Sequence, residues 1–159
     1  MSQLPTGGSS DSASNEPSAE RLARVVVRPV QFDDLQGILE LLEPFIEQDV
    51  LLPRSEGELI DLLATSFVAV DGERLIGYVS LEIYSIKLAE IRSLAVAREF
   101  QRHRIGQRLV AACVDLARRK DIIEVMAITS NEDFFRQCGF DFTLPGEKKA
   151  LFIHTSESQ

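Results

Sequence analysis

The chain has 159 residues, 45% of them apolar, which suits one domain with a real buried core and leaves little room for a second. Its formal net charge is −8, with 25 acidic against 17 basic side chains, which argues against a nucleic-acid binder and its clustered basic surface. No apolar run is long enough to span a bilayer and the polar, serine-rich start is unlike a secretory signal, so a cytoplasmic protein with neither membrane nor nucleic-acid partner is expected.

Residues 1–22 are Ser, Gly, Pro and acid with almost nothing to bury, and predict a disordered tail before a single domain over 23–156. Val25-Val26-Val27, stopped by Pro29, predicts a first strand. Asp33 or Asp34 can then cap a helix in which Leu35, Ile38, Leu39, Leu42, Phe45 and Ile46 recur at helical spacing, with Pro44 expected to break or kink it. Ser55 and Glu58 have the spacing of a capping box ahead of Leu59, Ile60, Leu62 and Leu63. Phe67–Val70, the turn Asp71-Gly72-Glu73 and Leu75–Tyr84 predict a hairpin. In its second strand Val79, Leu81 and Ile83 alternate with Tyr78, Ser80, Glu82 and Tyr84, so one face is core and the other polar, as a cleft wall would be.

Another strand covers Leu88–Val96, and a helix from about Gly106 carries Leu109, Cys113, Leu116 and Ala117 on one face. Ile122–Ile128 predicts a strand, and Asn131–Cys138 a short helix ended by Gly139. Two last strands, near Phe140–Thr143 and Leu151–His154, flank a turn with Pro145-Gly146. The order predicts an α/β (α+β) domain of three layers, a mixed central sheet of about seven strands with helices on both faces. Cys113 and Cys138, without nearby histidines, make no zinc pattern; both read as core fillers and no metal is expected.

The chemistry concentrates in Ile91–Val110. A strand stops at Val96, a loop carries Arg98, Arg102, His103 and Arg104, and a helix begins near Gly106. The first turn of a helix offers free amides and partial positive charge, and a glycine there lets a diphosphate approach the backbone. On these residues alone the alternative is a solvated loop beside an ordinary helix start.

The same block resembles the core motif Q/R-x-x-G-x-G/A of the GNAT superfamily of acyl-CoA-dependent N-acetyltransferases: Gln101, Ile105 and Gly106 match, and Arg104 stands where the first motif glycine would be. Phe134-Phe135-Arg136-Gln137-Cys138-Gly139-Phe140 is similar to the family's F-Y-x-x-x-G-F signature, and the resemblance covers about Arg24 to His154. It implies the family's fold and an acetyl-CoA site. Gln101, Arg102, His103, Arg104, Ile105, Gly106 and Gln107 would form the phosphate loop, the backbone of Leu94, Ala95 and Val96 would pair with the pantetheine arm, and Phe134 and Phe135 would complete the site.

Leu51-Leu52-Pro53-Arg54, the strand Leu88–Val96 and Ile128-Thr129 further resemble the acetyltransferase domain of amino-acid N-acetyltransferases, N-acetylglutamate synthases in particular. That resemblance implies a small-molecule acceptor, glutamate first, a place in arginine biosynthesis, and an amino-acid site containing Leu52 and Arg54. A guanidinium fork suits an α-carboxylate, while Lys87, Lys148 and Lys149 are secondary candidates for a side-chain carboxylate.

Acyl transfer needs a neutral amine, a donor to the thioester oxygen and a proton for the thiolate. A strand amide of Leu94–Val96 can supply the second, and Glu90 or Glu82 is the candidate base. Many superfamily members place a tyrosine where Phe135 stands, so Tyr84 and then Ser93 are the candidate acids. A peptide or polyamine acceptor, a non-catalytic acyl-CoA-binding module and a homodimer stay open.

Overall fold

The computed structural model describes residues 15–143 and 146–156. Five strands form one sheet in the order β1 (Val26–Pro29), β2 (Ser66–Asp71), β3 (Arg74–Ser85), β4 (Leu88–Val96), β5 (Glu124–Met126). β1 to β4 run antiparallel to their neighbours, and β5 joins parallel to β4. The two-residue connection Gly72-Glu73 closes the β2–β3 hairpin, and Gly72 takes the positive φ of +62° that glycine adopts most cheaply.

Helix α4 (Ile105–Arg119) connects β4 to β5 and lays Ile105, Leu109, Cys113 and Ala117 on one face of the sheet, against Ile76, Val79, Leu81 and Ile91. Burial there pushes the Cys113 thiol up to about 12, consistent with a packing role. The other face is covered by α2 (Leu35–Glu47) and α3 (Glu56–Asp61), whose Leu35, Ile38, Leu42 and Leu59 pack on Val68, Tyr78 and Ala95. The result is the mixed sheet between helical layers that the element order predicts.

Gly77 lies where α4 comes down on the sheet: a Cβ there would sit 2.9 Å from Leu109 Cδ1 and 3.1 Å from the Ala69 Cβ. Gly77→Val should therefore destabilise the fold by about 1–3 kcal/mol, the usual cost of overpacking. The check is a lower urea midpoint at an unchanged slope; an unmoved midpoint would mean that Leu109 swings away at no cost.

Four details differ from expectation. The sheet has five strands among the described residues, where about seven are expected. Phe140–Thr143 and Leu151–His154 form none; Leu151 is 91% exposed and Ile153 86%. Pro145 of the expected turn lies outside the described residues. Within the expected strand Ile122–Ile128, only Glu124–Met126 pairs.

Pro44 does not interrupt α2. Both Pro44 and Glu40, whose carbonyl the proline leaves without an amide partner, face solvent, so water can replace the lost bond. The tail expected over 1–22 falls partly on residues 1–14, outside those described. Its end is instead a helix, α1 (Ala19–Arg24), capped by Ser18 and held by Arg21, which pairs with Asp71 at 2.8 Å and stacks over the Phe100 ring.

Candidate active site

The site begins with an irregularity in β4. Ser80 pairs with Arg92 but Tyr78 pairs with Ala95, so two steps along β3 span three along β4. The extra residue falls at Ser93, whose φ of +55° lies in the left-handed region, at a cost on the order of 1 kcal/mol for a residue with a Cβ. Parity along the strand confirms the bulge. Ala89 and Ile91 point to the α4 side, as do Leu94 and Val96, while Ala95 joins the α2 side.

The partnership with β5 stops short of the bulge, pairing only Leu88, Ala89 and Glu90. From Ile91 to Val96 the outer edge of β4 has no strand against it among the described residues. Between that edge and Ile128–Asn131 opens a cleft of about 1150 Å³. Phe134 and Phe135 of α5 (Glu132–Gln137) line it, as do Phe45, Val50 and Leu51 from α2 and the loop after it. The start of α4 contributes Gly106 and Gln107, and the loop before it Gln101, Arg102 and Arg104.

Arg104 is the N-cap of α4, makes no side-chain cap hydrogen bond, and has φ +62°; Arg102 has φ +64°. Position 104 thus requires a conformation glycine takes readily, which accounts physically for a motif glycine there and for the peculiarity of an arginine instead. The first-turn amides of this 15-residue helix have no partners within it. An open strand edge beside an uncapped helix start fits an elongated ligand with an amide-bearing arm and a phosphate head. The arm can complete the strand and the phosphates can meet the free amides.

On the α2 side of the sheet, next to the bulge, lies a polar cluster. The Tyr84 hydroxyl donates to the buried carboxylate of Glu90, and Arg92 Nη1 donates to Glu82 Oε2 at 2.8 Å while lying 3.9 Å from Glu90 Oε2. One guanidinium is held between two carboxylates. Donation to Glu90 pushes the Tyr84 phenol up, because ionising it would set two negative charges together. Arg54, only 10% exposed, donates from Nε to Ser93 Oγ at 3.2 Å and approaches Glu58 Oε1 at 3.5 Å. Glu58 in turn closes the capping box with Ser55 that the sequence predicts.

The sequence-predicted residues divide accordingly. Ser93, Leu94, Ala95, Val96, Gln101, Arg102, Arg104, Gly106, Gln107, Phe134 and Phe135 all line the cleft. Gln101 donates to the Val96 carbonyl and Gln107 to Gln137, so these two amides pin the loop and the helix in place. The Ile105 side chain is buried in the core, leaving only its backbone for a ligand, and His103 stands beside the lining. Glu90 and Tyr84 neighbour the bulge without lining the cleft. Leu52 is 74% exposed while its neighbour Leu51 lines the wall, and Lys87, Lys148 and Lys149 are exposed outside it. Sequence reasoning missed Arg92, Phe45, Val50 and Asn131. A guanidinium two residues from Glu90 in a mostly apolar strand was the available signal for Arg92.

A mixed sheet splayed at a bulge, with an uncapped helix start beside the opening, defines a class of acyl-carrier-binding transferases. The chain matches the acetyltransferase (GNAT) family over residues 32–140 and belongs to it. An uncharacterized N-acetyltransferase of Chlorobaculum tepidum is 33% identical over 118 residues, covering 74% of this chain and 76% of the relative. An amino-acid acetyltransferase of Aeromonas salmonicida is 29% identical over 79% of this chain, which spans only 30% of that relative's length. Among solved structures, N-acetylglutamate synthase of Neisseria gonorrhoeae, complexed with coenzyme A and N-acetyl-glutamate, superposes with a TM-score of 0.69 at 28% identity, over 78% of this chain and 30% of that one. The protein is an acetyl-CoA-dependent N-acetyltransferase.

Proposed function

We propose that the acceptor is the α-amino group of a small amino acid, L-glutamate first, and that the product feeds arginine biosynthesis. The observation that carries this reading is Arg54, a well-covered guanidinium tied to the bulge at Ser93, a residue that lines the cleft. It suits an α-carboxylate bound in two parallel hydrogen bonds. The amino-acid acetyltransferases among the relatives support it.

When bound, acetyl-CoA supplies the acetyl group as a thioester. On this reading the amides of Ile105, Gly106 and Gln107, with Arg102 and Arg104, hold the diphosphate, and the edge Leu94–Val96 holds the arm. An amide of that edge stabilises negative charge as it develops on the carbonyl oxygen. Glu90 takes the proton of the amine through solvent. The α-carboxylate of a free amino acid holds its ammonium proton more tightly than a chain terminus with a pKa of about 8 does, so the reaction calls for a base, and pairing of that carboxylate with Arg54 eases the loss. Phe135 has no proton to give, and Tyr84 commits its own to Glu90. Ser93 lines the cleft and accepts from Arg54, which leaves its hydroxyl hydrogen free to hydrogen-bond the departing thiolate, whose proton comes from solvent.

The test is thiol release from acetyl-CoA with a panel of amino acids, a peptide amine and a polyamine. Turnover should be fastest with glutamate. Acetylation of the peptide or polyamine alone would overturn the acceptor, and thermal stabilisation by acetyl-CoA without turnover of any amine would reduce the protein to a binding module.

A further inference from the structure

Ser80 is wholly buried in the middle of β3, among positions where an apolar side chain would pack. Its Oγ donates to the carbonyl of Arg92 at 3.1 Å. Arg92 is the last residue in register before the bulge, and the extra residue at Ser93 breaks the ladder just there. The Ser80 hydroxyl thus adds a side-chain tie across the ladder at the last pair before the bulge. One residue on, Ser93 Oγ takes the hydrogen bond of Arg54 Nε. Two successive residues, Arg92 and Ser93, are thus held by side chains: Ser80 from the neighbouring strand and Arg54 from the loop before α3.

We propose that Ser80 is a positioning residue for acetyl transfer. By fixing the Arg92 carbonyl it sets the tilt of the bulge, and with it the direction in which the Leu94 amide, the outward-facing one next to the bulge, meets the cleft. A donor aimed at a carbonyl oxygen tolerates little misplacement, so a shift of about 1 Å is enough to slow the chemistry. The Tyr78 hydroxyl, on the same face, lies 3.2 Å from Ser66 Oγ and beside Ser80. The proposal rests on the reading of Leu94–Val96 as the edge that receives the thioester.

The experiment compares Ser80→Ala, Ser80→Thr and the near-isosteric Ser80→Cys in kcat, KM for acetyl-CoA, affinity for coenzyme A, and amide exchange in the ligand-free protein. Ser80→Ala should lower kcat 10- to 100-fold, weaken coenzyme A by a clearly smaller factor because that ligand shares the arm contacts of Leu94–Val96 but has no thioester carbonyl to misalign, and speed exchange at Ser93 and Leu94. Ser80→Thr, which keeps the hydroxyl, should recover most of kcat. Should the alanine variant fold poorly, the cysteine variant, a much weaker donor of nearly the same volume, should show the same loss. A kcat within twofold of the parent in a folded Ala or Cys variant, even with a lower melting point, would reduce Ser80 to a structural role and overturn the proposal. A parent protein that turns over no amine would overturn the underlying reading and this proposal together, so the two failures are distinct.

Discussion

Gly106→Val is expected to weaken coenzyme A binding at least 100-fold, about 3 kcal/mol, while the protein stays folded. A Cβ at this position would lie 3.2 Å from both Cε2 and Cζ of Phe134 and 3.8 Å from Val96 Cγ2. Glycine here therefore makes room for the Phe134 ring and, on the proposed reading, for a diphosphate. Phe134 is itself braced: its ring meets Phe135 edge-on at 5.0 Å, and Phe135 meets Phe140 at 5.3 Å. A branched side chain at 106 must either push that ring from the cleft wall or occupy the space beside the first-turn amides, and both damage the same site. Helix propensity improves when glycine leaves a helix, which offsets part of any packing loss and keeps the fold.

A milder series separates the two causes. Gly106→Ala should cost about tenfold in affinity, measured by calorimetry. If displacement of Phe134 is responsible, Phe134→Ala in the same molecule should cancel much of that loss, and the double-mutant cycle reads the coupling directly. If the phosphates are crowded instead, the two changes add. Unchanged affinity in Gly106→Val would place the diphosphate elsewhere.

Much of this arrangement was legible in the sequence because local chemistry agrees with the tertiary fold. The turn at Asp71-Gly72-Glu73, the capping box at Ser55 and Glu58, the strand Leu88–Val96 and the left-handed Gly139 all stand as the residues predict. The bulge was legible only in retrospect. Within Leu88–Val96 the apolar residues facing α4 change parity between Ile91 and Leu94, the mark of one inserted residue. Nothing local marks Ser93 as left-handed, because its conformation is imposed by strands on one side and Arg54 on the other. Position 104 is similar: an arginine there hides the turn that a glycine would announce. The missing C-terminal strands failed for the opposite reason. Leu151, Phe152 and Ile153 carry strand propensity, but they stay exposed and unpaired among the described residues, and propensity without pairing makes no strand.

Arg54→Ala is expected to lower kcat/KM for the amino-acid acceptor about 100-fold, the loss of a charge-assisted pair of hydrogen bonds, with coenzyme A affinity changed less than threefold. The partition between KM and kcat carries the information. Arg54 reaches Ser93 through Nε alone, and its Nη1 faces Glu58 only at 3.5 Å, so donors of the fork are left for a carboxylate. Loss of those donors appears as a raised acceptor KM; loss of the Ser93 contact appears as a lowered kcat, as in the Ser80 variants. Arg54→Lys keeps the charge and loses the fork, and should recover little. Glu58→Gln sharpens the comparison: glutamine can still accept from the Ser55 amide and preserve the cap, yet no longer offers Arg54 a competing charge. It should leave the fold intact and lower the acceptor KM. An amine without a carboxylate should be indifferent to both changes at the KM level. If Arg54→Ala leaves acceptor KM unmoved for the best amino acid and lowers only kcat, Arg54 is a strut for the bulge, and the carboxylate is held by another group.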